Sequence, residues 1–216
     1  MSRPLVKVCG LTTIADLRVA QAAGADFLGV VVESPPSPRS LTMAQAAVLS
    51  RLARNVVVVT VCEDLDRLGA WMERLRPRAL QLHSPAAVAL AREFAPLTPV
   101  WVAIGLPVTG GDAGTALATI ADAAAAGAEL VVLDSSVGGR SGGTGQQTDW
   151  ALAARIVSAS PLPVLLAGGI GPDNAAAALA QVRPVGLDAS SRLERLPGRK
   201  DPAMVWAYVA AAHRGA

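Results

Sequence analysis

Cys9 and Asp134 are the residues whose types and positions could supply a base and an acid. In Leu5-Val6-Lys7-Val8-Cys9-Gly10 apolar and polar residues alternate, the pattern of a half-buried strand. Leu5, Lys7 and Cys9 then share one face, and Gly10 ends the strand. A thiol is thus delivered to the C-terminal end of a strand, the end where parallel α/β proteins bind ligands. A thiol titrates near neutrality where a cation stabilises its thiolate, and Lys7 and Arg39 could supply that charge. Asp134 stops a second apolar run, Leu130-Val131-Val132-Leu133. An acid across a pocket can protonate a leaving oxygen if burial or neighbours keep its proton on. The competing readings are a small buried hydrophobe for Cys9 and a turn or capping aspartate for Asp134.

Further polar groups collect at other strand ends. His83 and Asp188 each close a short apolar segment, and Arg39 follows Ser37-Pro38 in the loop after the second strand. There the proline fixes the approach of a guanidinium suited to bidentate carboxylate binding; a solvated loop arginine is the alternative. His83 could orient a substrate group or be a satisfied strand-end histidine. Gly168-Gly169 and Ser190-Ser191 lie in the last two strand–helix loops, where barrels often hold a phosphate on backbone N–H groups. Only Lys7 and Lys200 are lysines, and Lys7 is expected to pair with an acid in the interior rather than to form an imine. The glycines from Gly138 to Gly145 make no P-loop, since Thr144 stands where a lysine is needed, and Gln146-Gln147 breaks a dinucleotide fingerprint. With His83 and His213 the only histidines, no zinc-like ligand spacing occurs and no metal or cofactor is expected.

These groups need a scaffold of alternating strands and helices. The pattern predicts strands at 5–9, 27–32, 56–61, 79–83, 100–104, 130–134, 163–166 and 185–188. Helices are expected from Thr12 or Thr13 to Ala23, Thr42 to Arg54, Asp64 to Leu75, Ser84 to Phe94, Ala113 to Ala126, Thr148 or Asp149 to Ala159, Pro172 to Gln181 and Asp201 to His213. Ser135–Gln147 reads as a long glycine-rich loop beside Asp134. Strands such as Val56–Val61 are apolar throughout, as in a sheet covered on both faces. The expected fold is α/β, a single-domain (β/α)8 TIM barrel spanning 1–216.

Composition narrows the function class. A net charge of +2 gives no field for nucleic acid or a membrane surface. No run of about 18 apolar residues exists, and no signal-peptide pattern precedes the first strand. Two cysteines form no disulfide framework, so a cytoplasmic protein is expected, with a small molecule as partner and a monomeric or homodimeric state.

Lys7-Val8-Cys9-Gly10-Leu11-Thr12 resembles the opening motif of the phosphoribosylanthranilate isomerases of tryptophan biosynthesis. Ser37-Pro38-Arg39, Gln81-Leu82-His83, Leu133-Asp134-Ser135, Ala167-Gly168-Gly169-Ile170, Asp188-x-Ser190-Ser191 and Gly198-x-Lys200-Asp201 follow in family order. The resemblance implies an Amadori rearrangement of an aminoaldose phosphate to an aminoketose phosphate, without cofactor. It makes Cys9 the general base at C2 and Asp134 the general acid on the ring oxygen. It makes Arg39 the holder of the anthranilate carboxylate, Lys7, Gln81, His83 and Asp188 substrate-binding, and Gly168, Gly169, Ser190 and Ser191 the phosphate site. The sequence departs from the pattern at Ser84 and Arg192, where glycine is usual, and at Val30, Val32, Val61 and Thr148, where phenylalanine is frequent. Two other readings stay open: the same chemistry on a related aminosugar phosphate, and a non-catalytic phosphosugar-binding barrel.

Overall fold

A computed structural model describes residues 3–35, 37–107, 110–137, 140–141 and 148–214. Its strands are β1 (Leu5–Val8), β2 (Phe27–Val32), β3 (Val56–Thr60), β4 (Ala79–Leu82), β5 (Val100–Pro107), β6 (Leu130–Val137), β7 (Val164–Leu166) and β8 (Gly186–Ala189). The helices that follow them are α1 (Ile14–Ala23), α2 (Met43–Ser50), α3 (Leu65–Leu75), α4 (Ala87–Phe94), α5 (Ala113–Ala125), α6 (Trp150–Ala159), α7 (Ala175–Val182) and α8 (Pro202–Arg214). Each of these strands pairs parallel with its neighbours in sequence, and β1 closes the ring by pairing with both β8 and β2. The fold is the expected (β/α)8 barrel.

The all-apolar strands serve two faces. Val56 and Val58 of β3 join the cluster between barrel and helices, whereas Val57 and Val59 point inward. Val131 and Leu133 likewise face the helices, and Leu130 and Val132 the interior. Side chains alternate across a strand, so both sets must be apolar when both faces are covered. Phe27 and Trp101 meet edge-to-face inside the barrel, with centroids 4.8 Å apart and planes at 88°. The interior is therefore a packed core.

Local signals set most helix starts. Thr13 caps α1 by accepting from the Asp16 N–H, and Gly24 ends that helix in the left-handed region. Thr42 and Gln45 form a reciprocal capping box on α2, and Asp64, Asp112 and Asp149 cap α3, α5 and α6. Elsewhere the boundaries move. α2 stops at Ser50 rather than Arg54. Pro172 precedes α7 by a turn instead of opening it, because Asn174 Oδ1 first accepts from the Gly171 N–H. β5 and β6 run on to Pro107 and Val137, since Gly105, Leu106 and Pro107 pair with Asp134, Ser135 and Ser136. Within the expected Ser135–Gln147 loop, Arg140–Ser141 pairs antiparallel with Ser136–Val137, and 138–139 and 142–147 lie outside the described residues. A hairpin absent from the sequence reading, Glu194–Leu196 against Arg199–Lys200, follows a 3-10 turn at Ser191–Leu193.

Candidate active site

The C-terminal rim of the barrel gathers the polar residues. In the β1–β8 register Lys7 lies opposite Asp188, and Lys7 Nζ donates to Asp188 Oδ2 at 2.6 Å. Lys7 is fully buried. Burial pulls its pKa down, but the Asp188 carboxylate and the Cys9 thiol outweigh that and hold it as an ammonium. The expected pairing of Lys7 with an interior acid is thus what the structure contains.

Cys9 sits just beyond β1 and is buried. Its room comes from β2: a Cβ on Gly29 would stand 2.6 Å from Cys9 Sγ. Burial pushes the thiol up, Lys7 pulls it back and Asp188 pushes it up again. Arg39, proposed from sequence as a second source of positive charge, gives way to Lys200, which also favours the thiolate. The other cysteine, Cys62, is half-buried against the outer cluster, past the end of β3.

Asp134 lies on β6, buried, with Oδ1 accepting from the Ser135 backbone N–H at 2.8 Å. Burial and the Asp188 carboxylate raise its pKa to about 7, against the opposing pull of the Ser135 N–H and Lys7. A carboxyl that still carries a proton near neutrality is suited to be a general acid.

His83 and Gln81 are joined, Nε2 to Nε2, at 2.7 Å. Burial and then Lys7 lower the His83 pKa to about 4, so the ring is neutral at pH 7. Among the described residues Gln81 Oε1 and Asp188 Oδ1 are buried without a hydrogen-bond partner. Acceptors left buried in this way suit hydroxyl donors of a ligand.

The phosphate candidates also converge. Gly168 and Gly169 both take positive φ, 82° and 67°, after β7. A Cβ on Gly168 would stand 2.2 Å from Thr148 Oγ1, which donates to the Ala167 carbonyl. Ser190 and Ser191 open the 3-10 turn after β8. Arg192 ties the two loops together, donating from Nη1 to the Gly169 carbonyl at 3.0 Å and from Nη2 to Asp173 Oδ2 at 2.8 Å.

Arg39 is placed differently from the free fork that its loop position suggests. Its Nε and Nη2 donate to Glu194 Oε1 and Oε2, both at 2.7 Å. Among the described residues Glu194 takes up only this side-on pair of Arg39 donors, Nε and one N–H of Nη2. Glu194 and Lys200 enter this neighbourhood unannounced. Lys200 stood in a recognisable motif without a role, and Glu194 is brought over only by the hairpin.

Comparisons with known proteins identify the family. The family profile of N-(5'phosphoribosyl)anthranilate (PRA) isomerase matches residues 6–211. A relative from Rhodopseudomonas palustris (strain BisA53), named N-(5'-phosphoribosyl)anthranilate isomerase, is 41% identical over 217 residues, covering 96% of this chain and 94% of its own. The phosphoribosyl anthranilate isomerase structure from Thermotoga maritima superposes with a TM-score of 0.84 at 28% identity, covering 98% of each chain. A second structure of such an isomerase, in complex with reduced 1-(o-carboxyphenylamino)-1-deoxyribulose 5-phosphate, gives 0.80 at 27% identity and the same coverage. The chain belongs to the N-(5'-phosphoribosyl)anthranilate isomerase family.

Proposed function

We infer that this chain is the isomerase of tryptophan biosynthesis that converts N-(5-phosphoribosyl)anthranilate to 1-(o-carboxyphenylamino)-1-deoxyribulose 5-phosphate. The observation that carries the reading is the buried Asp134 carboxyl, its pKa pushed up to about 7, on the same barrel rim as a thiol beside the Lys7 ammonium. Asp134 gives its proton to the ring oxygen as the C1–O bond breaks, and the anthranilate nitrogen lone pair forms a C1=N iminium. The Cys9 thiolate removes the C2 proton, and the C2–H electrons flow into the iminium to give a C1=C2 enolamine. Protonation at C1 and loss of the C2 hydroxyl proton give the ketone, so composition is unchanged and no oxidant is needed.

Other residues hold the substrate in this reading. The unpartnered acceptors of Gln81 and Asp188 take ribose hydroxyls, Lys7 keeps the Asp188 carboxylate and the thiol in place, and neutral His83 orients the sugar. The ring carboxylate meets the end-on edge of Arg39. The phosphate meets Gly168-Gly169 and Ser190-Ser191. The ligand of the similar structure, reduced 1-(o-carboxyphenylamino)-1-deoxyribulose 5-phosphate, carries both a carboxylate and a phosphate, which supports two anion subsites. All named groups come from this chain, which acts as one unit over 1–216, monomeric or homodimeric. A cytoplasmic setting keeps Cys9 as a free thiol.

The test is turnover of freshly made phosphoribosylanthranilate, followed by loss of its fluorescence, with Cys9→Ser and Asp134→Asn alongside. Fast turnover that both substitutions lower by about a hundredfold or more supports the roles. A folded wild-type protein that leaves this substrate untouched refutes the reading in favour of another aminosugar phosphate or a binding barrel.

A further inference from the structure

We propose that Glu194 and Lys200 are positioning residues that turn Arg39 into a fixed receptor for the substrate's aryl carboxylate and fasten that receptor to the phosphate loop at Ser190. This rests on the isomerase reading above and adds residues to which that reading gave no part. The geometry is a buried chain of charges. The Glu194 carboxylate accepts from Arg39 Nε and Nη2 at 2.7 Å each and from Lys200 Nζ at 2.8 Å. Lys200 Nζ also donates to the Ser190 carbonyl at 3.0 Å. The side chains of Arg39, Glu194 and Lys200 are 10%, 4% and 0% exposed.

The hairpin that carries the pair is itself fixed over the two loops it serves. Glu194 and Lys200 face each other in its register. Thr12 Oγ1, from the loop after β1, donates to the Gly198 carbonyl. A Cβ at Gly198 would stand 2.9 Å from the Pro38 carbonyl oxygen, so the hairpin tip lies directly on the Arg39 loop. The Asp201 N–H donates to the Leu193 carbonyl at 2.8 Å and closes the hairpin's base.

Two consequences follow for an anion. One carboxylate faces two cations, so the buried cluster carries net positive charge that a ligand anion completes. Glu194 also occupies the side-on pair of Arg39 donors and leaves the end-on edge directed elsewhere, so the guanidinium meets a ligand already oriented. A long arginine without such a partner would have to be ordered by the ligand itself.

The experiment measures selectivity by calorimetry. The probes are reduced 1-(o-carboxyphenylamino)-1-deoxyribulose 5-phosphate and the phenylamino compound lacking the ring carboxylate. Wild type should bind the first more tightly. Glu194→Gln should lower that preference by about tenfold, the scale of one charge-assisted contact. Because Glu194→Gln leaves two buried cations under-compensated and can fail to fold, Glu194→Met/Lys200→Met, which removes a carboxylate and an ammonium together, is measured in parallel with the same expectation. Lys200→Met alone should also weaken inorganic phosphate, through Ser190. Loss of folded protein lowers the binding stoichiometry and leaves the ratio of the two dissociation constants in place, so a purely structural role predicts an unchanged ratio. An unchanged ratio in whichever variants fold overturns the proposal. A wild type that shows the preference and yet turns nothing over defeats the isomerase reading alone.

Discussion

Lys7 Nζ and Asp188 Oδ2 lie 2.6 Å apart across the seam where β1 meets β8, inside the barrel. The ammonium is fully buried, and the same charge acts on Cys9, His83 and Asp134. One ion pair therefore organises the protonation of the whole rim. Its ammonium opposes a charged His83, favours a thiolate at Cys9 and counters the effect of its own partner Asp188 on Asp134.

Lys7→Met should push the Cys9 thiol up further, because its main stabilising cation is lost. In a Cys62→Ser background, alkylation of Cys9 by iodoacetamide near pH 8 should slow by about tenfold or more, the equivalent of one pKa unit. Rates read by mass spectrometry decide this, and an unchanged rate would mean that Lys7 does not act on the thiol. The same substitution leaves Asp188 without its partner and should cost about 3–5 kcal/mol of stability.

The activity profile should be bell-shaped. In the proposed mechanism turnover needs thiolate at Cys9 and acid at Asp134, yet Cys9 is pushed up and Asp134 titrates at about 7. The active combination is then the minor one, most populated between the two values. kcat/KM should rise through about pH 7 and fall above the thiol's own pKa. A profile flat from about pH 5 to about pH 9 contradicts the assignment.

Stability should respond to Asp134 with a definite sign. The folded carboxyl holds its proton to about 7, while the unfolded one loses it near 3.8. Between these values the unfolded chain binds fewer protons, so wild-type stability falls as pH rises across the window and levels off above it. Asp134→Asn escapes this. It should match wild type near pH 4 and exceed it by about 2–4 kcal/mol near pH 8, measured by urea denaturation. An equal difference at both pH values would remove burial as the cause.

Arg192 stands where the family usually has glycine and joins the Gly169 and Asp173 segment to the 3-10 turn. Arg192→Gly should loosen the two loops proposed to hold the phosphate against each other. KM for the phosphosugar and Ki for inorganic phosphate should rise together by about threefold to tenfold, the range of a partly exposed charged contact. A rise in KM with Ki unchanged would place Arg192 outside phosphate binding.

The barrel was legible because its signals are local. Alternation placed Lys7 and Cys9 on one face, uniform apolarity marked β3 as covered twice, Thr42 and Asp64 announced their helices, and two more starts were narrowed to Thr12 or Thr13 and to Thr148 or Asp149. The charges of Lys7 and Asp188 could be read in the sequence, but their contact depends on barrel closure, which joins residues 181 positions apart. Arg39 shows the limit most clearly. Its loop proline hinted at a presented guanidinium, but its partner Glu194 arrives from 155 residues away on a hairpin with no distinctive periodicity. The extensions of β5 and β6 were missed for a related reason. Gly105, Leu106 and Pro107 read as a loop, and their pairing with Asp134, Ser135 and Ser136 decides otherwise.

The most direct measurement of the central claim is a single-turnover comparison of phosphoribosylanthranilate carrying hydrogen or deuterium at C2. The account predicts a primary isotope effect in the wild type. It also predicts that Cys9→Ser binds the substrate but removes the C2 hydrogen at least about a hundredfold more slowly. Loss of the C2 label from substrate bound to folded Cys9→Ser at the wild-type rate would contradict it, since the base would then be some other group.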